Sequence, residues 1–187
     1  MTTNKGFSII ELGACLALVG IVLGMALPSF HHLLMRTERR MMMERIHAAI
    51  ALAKQQAFAR NTTLTLCGSY DRRTCHPYQD WSRGFILIAN PSNQSPLPIP
   101  TVIRVFAGTR YGTLVFAQFS THLQIKPDGH NESNGTFIYC PLDANRLEAE
   151  ALVISKASRL YALSHRNIHG VLLKHVGTPQ ETPIQCR

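Results

Sequence analysis

The stretch that decides the fold begins Lys5-Gly6-Phe7-Ser8-Ile9-Ile10-Glu11 and carries no further charge as far as Leu27. From Phe7 to Leu27 it holds twenty-one residues, of which Glu11 alone is charged. At about 1.5 Å per residue these give a helix of roughly 32 Å, enough to cross the hydrocarbon core of a bilayer. A lone carboxylate near the start of such a helix is costly in lipid and demands a counter-charge, so Glu11 marks a functional position. Pro28 then interrupts the helix register, a kink that a neighbouring helix can absorb. Three plainer readings fail. A secretory signal peptide has a shorter, uncharged apolar centre. A simple signal anchor explains Lys5 but not Glu11, and a buried soluble helix has no need of so long an uncharged run.

Residues 29–61 read as the amphipathic continuation of the same helix. Ile46, Ala49, Ile50, Ala53 and Ala57 recur at three- and four-residue steps, with Arg45, Lys54 and Arg60 on other faces. Asn61 is the expected stop, and Met41-Met42-Met43 is a packing surface. Arg36, Arg39, Arg40 and Arg45 follow the apolar run against only Lys5 before it, so simple charge counting places the wrong end in the cytoplasm. Glu38 and Glu44 offset these arginines, which are expected to form a solvated helix face.

From Thr62 the period drops to two. Thr62–Cys67 alternates like a half-buried strand, and Trp81–Ile88 resumes the pattern after a polar loop. Four prolines between Asn90 and Pro100 mark a loop. Further strands are expected at 102–106, 113–116, 123–125, 135–140, 152–155, 160–163 and 171–176, with the turn Pro127-Asp128-Gly129 before the fourth of these. One long helix followed by many short strands is an α+β arrangement, the helix packed on an antiparallel β-sheet domain spanning 62–187.

Only 16% of the 187 residues are charged, low for a cytosolic protein, and the formal balance is +8 with nine histidines. Such a surface favours polyanions without choosing among them. Of five cysteines, Cys15 lies inside the apolar run. Cys67, Cys75, Cys140 and Cys186 form an even set that allows three pairings. The close Cys67–Cys75 spacing suits a hairpin-like loop, and Cys140 with Cys186 would then staple the C-terminal end back onto the domain. An oxidising compartment is implied. No C-x-x-C occurs, and no metal or other cofactor is expected.

The motif Lys5–Glu11 resembles the signature of type IV pilins and pseudopilins. The resemblance implies a leader, residues 1–6, cut by a prepilin peptidase between Gly6 and Phe7, with methylation of the new N-terminal Phe7. It also implies that residues 7–28 are the transmembrane and assembly helix, and that Pro28 softens it. Glu11 would pair with the N-terminal ammonium of a neighbouring subunit during assembly. Gly13 and Cys15 stand where relatives carry larger aliphatic residues. Further on, Ala53-Lys54-Gln55-Gln56-Ala57-Phe58-Ala59-Arg60-Asn61, the strand ending in Cys67, the short cysteine loop, Trp81…Gly84-Phe85, the Pro127–Gly129 turn and the second cysteine pair are similar to the GspH/FimT branch. That branch contains minor pseudopilins of type II secretion and the FimU/FimT minor pilins. The resemblance implies a minor subunit that starts or caps a filament. It would be anchored by a single pass in the bacterial inner membrane, with its C-terminal domain in the periplasm and other pilin subunits as partners.

Nothing in the sequence points to an enzyme: there is no Gly-rich phosphate loop, no G-x-S-x-G and no H-E-x-x-H. His165 and His169 are spaced as a helical metal pair but lie in strand or loop, where they would not converge. DNA is the remaining partner to weigh. Lys156, Arg159, Arg166 and Lys174 are interleaved with Tyr161, His165, His169 and His175, a composition that grips phosphates without reading sequence. Some FimT proteins bind DNA for uptake through a C-terminal Gly-Arg-x-Arg motif. Here the matching stretch is Ser158-Arg159-Leu160-Tyr161, in which Arg159 alone agrees. The expectation is therefore a structural minor pilin or pseudopilin, with a DNA-binding uptake pilin as the alternative.

Overall fold

In a computed structural model, helix α1 runs Ile9–Arg60. The described residues are 8–89, 101–117, 120–132, 134–142, 146–174, 182–184 and 186. The helix stops where its chemistry says it should. Asn61 takes φ +48°, a left-handed turn that asparagine tolerates. The Asn61 amide donates to the Phe58 carbonyl and the Thr62 amide to that of Ala57, both at 3.2 Å. That double bond pattern closes the last turn and satisfies its orphan carbonyls.

The chain divides into two compact units, residues 1–37 and 38–187. Among the described residues of the second unit ten strands follow the helix: β1 Leu64–Gly68, β2 Gly84–Ala89, β3 Thr101–Ala107, β4 Gly112–Ala117, β5 His122–Ile125, β6 Gly135–Pro141, β7 Glu150–Ile154, β8 Leu160–Ala162, β9 Leu173–Lys174 and β10 Thr182–Pro183. One four-stranded sheet has the order β3-β2-β1-β5 and the other β4-β6-β7-β8, with β9 and β10 pairing separately. All pairings are antiparallel. The α+β arrangement of one long helix and antiparallel sheets is thus as expected, and most predicted strands fall within a few residues of the observed ones. Of the expected run 171–176, the described residues hold β9 at Leu173–Lys174, and 175–176 lie outside them.

Why the helix packs here is explained by its stripe. Met42, Ile46, Ala49, Ile50, Ala53 and Ala57 are buried and join a single core with Leu64, Leu66, Phe85, Leu114, Phe116, Phe137, Tyr139 and Ile154. The three alanines keep that face shallow, so the backbone comes close to the sheets. Both sheets contribute to this core. Trp81 sits between them, fully buried, with its ring centroid 5.2–5.5 Å from those of Phe85, Phe116 and Phe137. A Cβ on Gly68 would fall 2.7 Å from the Trp81 ring, so that position has room for glycine only.

Two expectations need correcting. Strand β1 is not half-buried: all five of its residues are covered. Leu64 and Leu66 face the helix, while Cys67 packs with Ile86, Ile88 and Val102 on the opposite face. Nor are the helix arginines uniformly solvated. Arg39 Nη1 donates to the Glu148 carbonyl at 2.7 Å, and its Nε lies 3.1 Å from the Glu150 carboxylate. Arg45 Nη1 donates to the carbonyls of Ala107 (2.8 Å) and Gly108 (3.2 Å). Lys54 reaches the Ser158 carbonyl, and the Glu38 carboxylate accepts the amides of Arg110 and Tyr111. Arg40 does pair in solvent with Glu44. Charges flanking the apolar stripe therefore fasten the helix to loops of the domain.

Candidate functional site

Three regions carry the residues that the sequence singles out. The first is the start of α1. The Ser8 hydroxyl accepts the Ile10 amide at 3.4 Å, and the Ser8 carbonyl accepts the Leu12 amide at 3.1 Å, making Ser8 the cap. Glu11 is then the third helical residue, where a carboxylate meets the positive end of the helix dipole. Ser8-x-x-Glu11 is thus the spacing of a capping box, a signal present in the sequence and overlooked in reading Glu11 only as a charge in lipid. Gly6 and Phe7 lie outside the described residues. On both sides of Glu11 the apolar side chains have no cover: Ile9 is 88% exposed, Ile10 83%, Leu16 65% and Val22 64%. Cys15 is free and exposed.

The helix continues through Pro28, whose side chain is outside the described set. Among the described residues no helix is long and apolar enough to cross a membrane. The described side chains of the expected span run from Ser8 to Gly24.

The second region is the cysteine framework. Cys67 bonds Cys75 and Cys140 bonds Cys186, which selects one of the three open pairings. The first bridge closes a loop built around Asp71. Its carboxylate accepts the amides of Thr74 (2.8 Å) and Arg73 (2.9 Å) and the hydroxyls of Thr74 and Ser69. Those donors, the two amides foremost, hold the Asp71 carboxyl well below the usual carboxylate range. The second bridge ties the segment after β10 to β6, burying Cys140 and Cys186 with Ala149.

The third region is the basic C-terminal segment. Lys156 and Arg159 are exposed on the hairpin between β7 and β8. Between them Ser158 is buried with φ +51°, and its amide and hydroxyl both donate to Asn131 Oδ1 at 3.0 Å. Left-handed backbone favours glycine, so the serine holds this turn through a side-chain bond that glycine does not make. Arg166 is used differently. Its Nη1 donates to the carbonyls of Leu147 (2.9 Å) and Gly170 (2.7 Å), and its Nη2 to that of Ala149 at 3.3 Å. The structure therefore separates Arg166, which holds loops together, from Lys156 and Arg159 at the hairpin tip. The Lys174 side chain lies outside the described residues. Tyr161 is 53% exposed on β8. His165 and His169 are exposed as well, and no three potential metal-ligating side chains converge among the described residues.

With this geometry in place, comparison with known proteins is informative. No curated protein matches the chain. In structure it is similar to the type IV minor pilin FimU of Pseudomonas aeruginosa strain PAO1. One crystal form of FimU agrees with a TM-score of 0.52 and 21% identity, over 68% of this chain and 89% of that one. A second form gives 0.49 and 19%, over 64% and 87%. The minor pseudopilin EpsH of the Type 2 Secretion System of Vibrio cholerae gives 0.43 and 11%, over 68% and 97%. The family model for the type II transport protein GspH matches residues 43–158, from the buried stripe of α1 to the β7–β8 hairpin, and the chain belongs to that family.

Proposed function

We propose that this protein is a structural minor pilin or pseudopilin that helps to start or cap a type IV pilus or a type II secretion pseudopilus. The observation that carries the reading is the uncovered apolar surface of α1 from Ile9 to Leu23, headed by Glu11. A soluble monomer rarely leaves so long an apolar surface in water, and this one needs lipid or other helices around it. Residues 1–6 act as the leader, and a prepilin peptidase cuts between Gly6 and Phe7 and exposes Phe7 for methylation. The helix then holds the subunit in the inner membrane by a single pass, with residues 62–187 in the periplasm. Two disulfides agree with that oxidising compartment. Glu11 acts in assembly by meeting the N-terminal ammonium of a neighbour, and Pro28 lets the helix bend as it is extracted. The role is structural and takes no cofactor.

The experiment is mass spectrometry of the chain recovered from sheared filaments or purified pseudopili. The reading expects a subunit that starts at a methylated Phe7 and is present at low copy. A chain that keeps Met1 to Gly6 and is absent from filaments contradicts it.

A second reading, DNA uptake through the C-terminal basic segment, is favoured by the exposed tip residues Lys156 and Arg159. Salt-sensitive DNA binding that Arg159→Gln and Lys156→Gln weaken supports it, and binding indifferent to both removes it.

A further inference from the structure

Away from the C-terminal segment, a second basic surface is assembled from parts of the chain that are distant in sequence. Arg72 stands in the loop closed by Cys67–Cys75, Arg83 in the turn before β2, and Arg110 between β3 and β4. They line one open cleft of about 400 Å³, with Val105 and Phe106 on its wall. All three arginines are exposed, and no acidic side chain forms an ion pair with them among the described residues. The nearby carboxylates spend their hydrogen bonds on other donors, although their charge still offsets part of that of the arginines. Glu38 accepts the Arg110 and Tyr111 amides, Asp71 accepts its own loop, and Asp80 accepts the Ser82 amide and the Tyr70 hydroxyl. Arg45 adds further positive charge behind the cleft through its bonds to Ala107 and Gly108.

Outside the cleft lining, a short series of tilted rings runs from Arg83. Tyr70 and His76 have centroids 3.8 Å apart, and His76 and Tyr78 4.5 Å. The Arg83 guanidinium sits 4.9 Å over the Tyr70 ring, and Tyr78 at the far end is 64% exposed. A carboxylate-bearing partner would use the arginines and leave these rings idle. A single nucleic-acid strand uses both, with phosphates on planar guanidinium forks and a base on an exposed ring.

We propose that this cleft is a binding site for single-stranded nucleic acid, with Arg72, Arg83 and Arg110 on the phosphates and Tyr78 as the stacking platform. The site is separate from the β7–β8 hairpin and does not depend on whether the subunit enters a filament.

The test is titration of the full chain, in non-ionic detergent micelles, against a fluorescent oligothymidylate at rising salt. Three phosphate contacts on a single strand give a log–log slope near about −2, so affinity falls roughly twentyfold between about 50 and about 200 mM salt. Each of Arg72→Gln, Arg83→Gln and Arg110→Gln should flatten that slope by about 0.7. Tyr78→Ser should weaken binding about fivefold or more with the slope unchanged. Arg83→Lys keeps the charge and should keep the slope, and circular dichroism establishes that each variant is folded. Should a glutamine variant unfold, the native slope and the Tyr78→Ser result still decide.

Several outcomes overturn the proposal. They are absence of binding at about 50 mM salt, slopes unmoved by the three arginine variants while Lys156→Gln and Arg159→Gln abolish binding, and indifference to Tyr78→Ser. Equally effective displacement by polyglutamate would assign the cleft to an acidic protein segment instead.

Discussion

Helix α1 contains two apolar surfaces that look alike as composition and behave differently as structure. Between Met42 and Ala57 the apolar residues form a stripe, every member of it covered by the two sheets. Between Ile9 and Leu23 they surround the helix and none of the large ones is covered. The difference is in their neighbours along the chain. Arg39, Arg45 and Lys54 flank the first surface and bond to backbone carbonyls of the domain. The second surface has Glu11 as its only charge. One half of the helix folds with its own chain, and the other leaves its large apolar side chains uncovered.

That contrast can be broken most forcefully in the core. Ile46→Ala removes a fully buried side chain at the centre of the stripe and should cost about 2–5 kcal/mol, read as a lowered midpoint in chemical unfolding of the domain. Leu16→Ala, an equally large truncation on the uncovered surface, should leave that midpoint within about 0.5 kcal/mol. Similar losses at the two positions would show that the distinction between the surfaces is false.

The two disulfides sharpen the picture next. Replacing Cys140 and Cys186 with serine opens a loop with sequence separation 46, against 8 for Cys67 and Cys75. Chain entropy makes the longer loop the costlier loss by about 1.5 kcal/mol, within a typical total of about 2–4 kcal/mol for a bridge. Parallel denaturant curves of the two double variants measure it, and equal losses would locate the effect in native packing.

A smaller effect is expected from Lys54→Met. It keeps the stem on the helix surface but removes the charged donor to the Ser158 carbonyl, at a cost of about 1–2 kcal/mol. Faster amide exchange at Ser158 and Arg159 should accompany it, and unchanged exchange would mean that the hairpin is held without the helix.

The smallest effect is local and set by pH. The Asp71 carboxyl is depressed in the folded chain, so its support is present above the unfolded value, near about 4. As pH falls below that value toward the folded one, the support is progressively lost. Protection of the Arg73 and Thr74 amides, taken relative to their intrinsic exchange rate at each pH, should therefore fall in acid. In Asp71→Asn that protection should already be reduced at neutral pH and be flat across the range. A native-like pH profile in the variant would remove Asp71 as the cause.

How much of this was legible beforehand depended on whether the cause was local. The helix, its stop at Asn61 and the buried stripe follow from spacing, and the strands from alternation. The cysteine pairs had the right count, but three pairings stayed open until the fold brought Cys140 beside Cys186. Burial on both faces of β1 was not legible, because Thr65 and Cys67 read as the outward side of an ordinary alternating strand. The carbonyl-bound roles of Arg39, Arg45 and Arg166 were hidden for the same reason. A guanidinium that clamps a distant loop has the same sequence as one in water. Arg72, Arg83 and Arg110 are the plainest case, since only the antiparallel pairing of β2 with β3 and the bridge at Cys67 gather them.

The measurement closest to the central claim is incorporation of Glu11→Val into filaments, compared with its retention in the membrane. Exposed apolar surface predicts that the variant still partitions into the membrane fraction, because valine lowers the cost of the helix in lipid. It should be missing from sheared filaments, because the carboxylate that would meet a neighbour's N-terminus is gone. Filaments containing the variant at the unmodified level would contradict the account and leave Glu11 as a helix cap alone.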